Sequence, residues 1–137
     1  MTEMKKSKGW NIGLWIAQVL MAGLFGMVGI TKLTTPISEL AEMLPWVTES
    51  PEMLVRFIGL SELLGAVGLI LPTALRIQPK LTNFAAIGLA IVMVLATGFH
   101  LFRGEFEVAP VNIVLLGILL LINWGRNKKA LILPKGE

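Results

Sequence analysis

Four long apolar runs set the limits on what this chain can fold into. They cover roughly residues 11–33, 52–71, 80–102 and 108–124, and short stretches rich in Pro, Glu, Lys or Arg separate them. A helix needs about 20 apolar residues to cross a hydrocarbon core of about 30 Å. Inside lipid no water is at hand for backbone N–H and C=O groups, so a span must satisfy them internally, as a helix does. Hydrophobic residues make up 55% of the 137-residue sequence. Four spans use most of that length and leave no room for a soluble domain. The expectation is an all-α protein: a single integral membrane domain over residues 1–137, folded as a four-transmembrane-helix bundle.

The first run is too long for the apolar core of a signal peptide and reads as an uncleaved helix. Ser50, Pro51 and Glu52 form a start signal for the second: a capping hydroxyl, a Pro suited to the first helical position and an acid in the first turn. Pro72 marks its predicted end near Leu71. Between the first two spans, TTPISELAEMLPWVTES puts Leu40, Met43 and Leu44 on one face, with Glu39 and Glu42 off it. That spacing predicts a short amphipathic helix on the membrane interface, which Ser38 would cap.

Charge supplies a topology. With the N-terminus inside, Lys5, Lys6, Lys8, Arg76, Lys80, Arg126, Lys128, Lys129 and Lys135 fall on the cytoplasmic side, nine of the twelve Lys and Arg residues. Lys32, Arg56 and Arg103 remain on the outer half, beside Glu39, Glu42, Glu49, Glu52, Glu105 and Glu107. Positive charge accumulates in cytoplasmic loops, so both termini are expected in the cytoplasm of a multi-pass protein of the cell (plasma) membrane. Trp10 and Trp124 would then mark the inner interface and Trp46 the outer one. The basic residues follow topology and do not form a stripe interleaved with aromatics, so a nucleic-acid partner is not expected. With no Cys and one His, disulfide chemistry, thiol relays, cysteine metal sites and a bis-histidine haem within one chain are excluded.

RFIGLSELLGAVGLILP, residues 56–72, carries a carboxylate in an otherwise apolar span. Glu62 lies ten residues past Glu52, about 15 Å along the helix and close to the midplane. A charge at that depth costs at least about 2.5–3.5 kcal/mol on insertion scales, so it faces the bundle and takes a partner. Gly59, Gly65, Ala66 and Leu69 share its face, and small residues there let a second helix approach. Gly23, Gly26 and Gly29 on the first span are expected to pack in the same way. Gln18 reaches a comparable depth from the inner side. Lys32, Arg56, His100 and Asn112 gather in the outer half. Glu62 and His100 are therefore the candidate catalytic groups, and Gln18, Lys32, Arg56 and Asn112 the candidate ligand-binding ones. Each also has a structural reading: Lys32 and Arg56 as snorkelling cations, His100 as an interfacial residue, Gln18, Asn83, Asn112 and Asn123 as interhelical hydrogen bonds, and Glu62 as half of an ion-pair clamp.

FGMVGITKL (25–33), RFIGLSELLGAVGLILP, ATGFH (96–100) and NIVLL (112–116) followed by WGR recur in an order that resembles the DoxX-like family of small membrane proteins. The resemblance runs from Trp15 to Arg126 and implies a four-helix membrane bundle. It carries over Lys32, Glu62, His100 and Asn112 as the positions of interest. It further implies association with membrane redox complexes, some relatives being linked to thiosulfate:quinone oxidoreductase as its small subunit. The cofactor is left unassigned, with a quinone as the class the resemblance leaves open. Besides the lipid bilayer, the partners to look for are a redox protein and a second copy of the chain. Three readings follow: a quinone- or lipid-binding subunit of a membrane redox complex, a non-catalytic scaffold or assembly subunit, and a proton-coupled small-molecule transporter.

Overall fold

A computed structural model describes residues 7–136. Five α-helices follow one another: α1 (Lys8–Thr34), α2 (Ile37–Met43), α3 (Glu52–Leu75), α4 (Lys80–Phe102) and α5 (Ala109–Lys128). Short 3-10 turns at Pro45–Glu49 and Phe106–Val108 complete the connections. α1, α3, α4 and α5 are each long and apolar enough to cross a membrane. α2 is the short helix expected between the first two spans. Around the bundle α1 packs on α3, α3 on α4 and α4 on α5, while α1 and α5 close the ring with a slighter contact.

The hydrophobic pattern is inverted relative to a water-soluble bundle. The outward faces carry Phe57, Leu64, Phe84, Leu95 and Val114, each more than half exposed. A continuous apolar surface of this kind needs lipid as its solvent. The interior is a thin core of Met21 and Phe25 from α1, Ala66 and Leu69 from α3, Ala86 and Leu89 from α4, and Leu119 and Ile122 from α5. A second small cluster, Leu40, Trp46, Val47 and Val55, seats the α2 connector on α3.

Small residues decide which faces meet, and they do so selectively. On α1 only the C-terminal part of the glycine series touches α3. Gly29 lies against the Gly59 carbonyl, Gly26 faces Ala66, and a side chain at Gly23 would meet nothing within 4 Å. Gly23 therefore leaves the seam expected for all three glycines, because its face points to lipid. On α3 the roles divide: Gly59 receives α1, while Gly65 and Gly68 receive Leu89 and Ala85 of α4.

Helix ends depart from the sequence reading in three places. α3 continues through Pro72 to Leu75 and stops at Arg76, which adopts a left-handed conformation (φ 54°). A proline in a membrane helix is tolerated where a neighbouring element holds the turn, and here Thr73 Oγ1 meets Thr82 Oγ1 of α4 at 2.7 Å. Ser50 does not cap α3: its hydroxyl donates to the Trp46 carbonyl, and Pro51 occupies the capping position. Ser38 lies inside α2 rather than at its cap, which is Pro36.

Both ends of the described chain lie at one end of the bundle. The Ser7 N–H donates to Lys129 O at 3.3 Å, and Trp10 meets Trp124 edge to face at 5.6 Å. The tail after α5 folds over the α3–α4 connection, where Arg76 donates to the carbonyls of Leu133 and Pro134 and receives the Lys135 N–H. Lys8, Arg76, Lys80, Arg126, Lys128, Lys129 and Lys135 thus share the end that the charge pattern groups together; Lys5 and Lys6 lie outside the described residues. Trp46, at the outer end of the bundle, is 8% exposed and packs inward against Lys32, Phe99 and His100, so its ring faces the bundle.

Candidate functional site

Glu62 is 3% exposed, and Lys32 Nζ donates to its Oε1 at 2.9 Å. Four residues separate Lys32 from Val28 and three from Gly29, so the lysine shares the α1 face that meets α3. The Gly29–Gly59 contact brings the two backbones close enough for the pair to form. The Trp46 ring stands 5.7 Å from Lys32 Nζ, at a distance where the π face favours a cation. Trp46 in turn meets Phe99 and His100 edge to face at 5.7 and 6.5 Å. The ion pair therefore lies beneath an aromatic layer drawn from the connector and α4.

A cavity of about 510 Å³ opens beside this pair. Lys32, Glu62, His100, Asn112, Trp46, Ser50 and Ser61 supply its polar groups. All four spans and the connector contribute to its walls. Its apolar walls include Phe25, Met93 and Leu115 from the interior, together with lipid-facing Leu54 and Phe57 of α3 and Leu95 and Phe99 of α4. The cavity thus runs from a charged, hydrogen-bonding interior to the lipid-exposed margin between α3 and α4. Its volume and its mostly apolar wall with a few convergent polar groups are those of a small-molecule site.

At the rim, a polar cluster ties the α4–α5 connection to the α2 connector. His100 Nδ1 lies 2.8 Å from Glu105 Oε1, Arg103 Nε donates to the same oxygen at 3.0 Å, and Arg103 Nη1 donates to Glu49 at 2.6 Å. With Glu105 ionised, the first contact places the proton on Nδ1 and leaves Nε2 as the ring nitrogen not engaged by it. The His100 hydrogen bond first, and the Arg103 hydrogen bond second, hold the Glu105 carboxyl below its ordinary range. The Glu49 and Glu105 hydrogen bonds push Arg103 up, so it remains a cation throughout. Because the folded state depresses the Glu105 pKa, its contribution is present above the unfolded value and disappears as pH falls through the folded one. The thermal midpoint of wild type in detergent is therefore expected to fall on acidification below about pH 4.5, and Glu105→Gln is expected to flatten that part of the profile. Identical acid profiles for the two proteins would refute this account of the rim.

The candidate residues do not all converge. Lys32, Glu62, His100 and Asn112 line one cavity. Arg56 sits beside it but turns its guanidinium to the carbonyls of Lys32 and Thr35 at 2.8 and 2.7 Å and to Glu52 at 3.2 Å. It caps the open end of α1 and supports Lys32 from behind. Gln18 is elsewhere. Its amide donates to Leu69 O, and its oxygen accepts from Arg126 Nε at 2.7 Å, towards the end where the described chain begins and ends. Two buried residues are not legible as such from charge and position alone. Trp46 reads as an interfacial aromatic. Arg126 reads as one of the cytoplasmic charges, although it continues the Leu119–Ile122 core face at helical spacing, which is the signal that marks it as buried.

The model of the DoxX-like family matches residues 16–122. That span holds every residue lining the cavity. No curated protein and no solved structure matches the chain.

Proposed function

We propose that this chain, which belongs to the DoxX-like family, binds the head group of a quinone or a similar flat, carbonyl-bearing lipid as a subunit of a membrane redox complex. One observation carries the reading: a lysine–glutamate pair at the polar end of a 510 Å³ cavity whose far wall is lipid-exposed. A lipid-borne ring that enters between α3 and α4 meets apolar walls on the way in and hydrogen-bond donors at the end. The Lys32 ammonium and the Asn112 amide suit carbonyl oxygens, His100 offers a second nitrogen, and Phe57 and Phe99 flank the path. This donor set fits a quinone. Bound there, a quinone supplies two-electron redox chemistry that none of these side chains has.

The chain's own part is to bind, orient and move protons. Lys32 directs one carbonyl oxygen. Trp46 and Phe99 close the aromatic layer over it and keep bulk water from the ion pair. Glu62 is the proton-exchanging carboxylate, with Lys32 setting its charge balance. Electrons come from a partner redox protein, and both termini face the cytoplasm of the plasma membrane.

A second reading is supported by the same ion pair. Lys32–Glu62 joins α1 to α3 beside the close backbone approach of Gly29 and Gly59, which suits a clamp in a non-catalytic scaffold. The two readings diverge on ligand retention. Wild type purified in mild detergent is expected to release a quinone on solvent extraction, identified by mass spectrometry, and folded Glu62→Gln to release several-fold less. Absence of quinone from both, with quinone-linked activity of the membranes unchanged by Glu62→Gln, would reject the first reading in favour of the second.

A further inference from the structure

The end of the bundle opposite the Lys32–Glu62 cavity contains a second polar centre, and its charge is not balanced. Arg126 is 2% exposed on α5. Its Nε donates to Gln18 Oε1 at 2.7 Å, and its Nη1 donates to Asn11 Oδ1 at 2.7 Å and to Ala130 O at 3.0 Å. The Trp15 ring lies 5.7 Å from Cζ. These partners are neutral oxygens and a π face. Among the described residues no carboxylate pairs with the guanidinium, and Nη2 is buried with no hydrogen-bond partner. A buried cation without a counter-charge costs several kcal/mol, and an unmade bond from a charged donor adds to that.

Arg126 also forms part of the wall of a separate cavity of about 280 Å³ between α3, α4, α5 and the tail. The other polar groups of that wall are donors or amides: Thr73, Lys80, Asn83, Asn123 and Asn127. None is acidic. Asn83 donates to Asn123 Oδ1 at 2.9 Å and to its backbone carbonyl at 3.0 Å, so the wall is held in shape by its own hydrogen bonds. One guanidinium, one ammonium and the N–H groups that Asn123 and Asn127 have to spare line a small cavity without an acid, the donor set an anion needs. Nη2 is the guanidinium nitrogen left without a partner, and its N–H groups would make charge-assisted hydrogen bonds to an oxyanion. Phe84 and Ile87, both exposed to lipid, continue the wall along α4. They offer an apolar track leading away from the charged end.

We propose that this cavity holds a phosphate oxyanion, and that the phosphate is the head group of an anionic phospholipid with its chains lying along Phe84 and Ile87. The alternative source of the same chemistry is free phosphate. The inference stands independently of the quinone reading, since the two cavities share no lining residue.

The test uses full-length protein in mild detergent, with native mass spectrometry and thermal midpoints as readouts. The probes are short-chain phosphatidylglycerol, short-chain phosphatidylcholine and inorganic phosphate. Phosphatidylglycerol is expected to give a one-to-one adduct and raise the midpoint, with at least tenfold weaker binding of phosphatidylcholine. Arg126→Met is expected to abolish the adduct. Because Arg126 also braces Gln18 and Asn11, Asn127→Asp serves as a second variant: it leaves Arg126 in place but adds a carboxylate to the cavity wall, and is expected to weaken binding at least tenfold. Lys128→Gln, which alters the basic end without touching the cavity wall, is expected to leave the adduct intact. Tight binding of inorganic phosphate without phosphatidylglycerol would overturn the lipid source and keep the oxyanion site. A lack of adduct with either phosphate probe would overturn the proposal. So would an adduct that survives both Arg126→Met and Asn127→Asp, or one lost equally in Lys128→Gln, the mark of diffuse attraction to a basic surface.

Discussion

Glu62→Leu is expected to lower the stability of the bundle in detergent by about 3–5 kcal/mol, the cost of leaving one member of a buried ion pair without the other. Lys32 is 9% exposed and its ammonium is held by Glu62 at 2.9 Å. Without the carboxylate, its nearest compensation is the Trp46 ring at 5.7 Å, and cation–π attraction amounts to about 2 kcal/mol even where desolvated. The double substitution Lys32→Met/Glu62→Leu is expected to recover most of the loss, because two apolar chains of similar volume remove the buried charge altogether. Equilibrium unfolding of the two single variants and the double variant measures this directly. Single-variant losses that simply add in the double variant would show that the pair is not coupled. The same set separates clamp from binding site: a double variant with wild-type stability that no longer retains quinone assigns the pair to the ligand, whereas full retention assigns it to the fold.

Gly29→Ala is expected to cost about 1–3 kcal/mol, the range for overpacking a close contact, and to weaken the Lys32–Glu62 bond as a consequence. A Cβ at Gly29 would stand 2.7 Å from Gly59 O and 2.8 Å from Leu63 N. These are backbone atoms of a helix and cannot rotate aside, so α1 and α3 must separate. Lys32 sits three residues beyond Gly29, close enough that the separation acts on the ion pair. Two comparisons isolate the cause. Gly125→Ala meets only the end of the Leu14 side chain at 2.6 Å, and Gly23→Ala meets nothing within 4 Å. The first is expected to be milder, since a leucine can change rotamer. The second is expected to be neutral or slightly stabilising, since Ala exceeds Gly in helix propensity by about 1 kcal/mol. Equal losses at positions 23 and 29 would show that the effect is not one of interhelical approach.

Gly23 and Gly29 also mark how far the sequence reaches. Six residues apart, they lie about 120° from one another around α1, so one faces lipid while the other faces a backbone carbonyl. Periodicity fixes which residues share a face. It does not fix which face the partner helix takes, which depends on how the two helices rotate and cross. The same limit applies to Glu62. Its burial and its need for a partner follow from depth in the bilayer, but Lys32 and Arg56 are equally suitable cations by that criterion. The choice between them rests on the rotation of α1 against α3, which turns Lys32 inward and leaves Arg56 to cap the open carbonyls at the end of α1.

The connectors were less legible still. Trp46 reads as an interfacial aromatic because it lies between two spans, and becomes a wall of the cavity because the 3-10 turn after α2 folds back into the bundle. Arg126 reads as one more charge at the basic end and becomes a buried guanidinium because the tail at Ala130 closes over it.

By itself, the sequence determined the four spans, the common end for the described termini and most of the basic residues, and the presence of an acid that lipid alone would not tolerate. Each follows from a cost that is local to one helix: backbone desolvation, charge beside a membrane, charge within it. Only the tertiary structure decided which cation meets Glu62, which aromatic covers the pair, that Gln18 belongs to Arg126 rather than to Glu62, and that Glu62 and Arg126 line different cavities. Those depend on how helices rotate and cross and on where connectors return, and the energies involved arise only between elements, after each has formed.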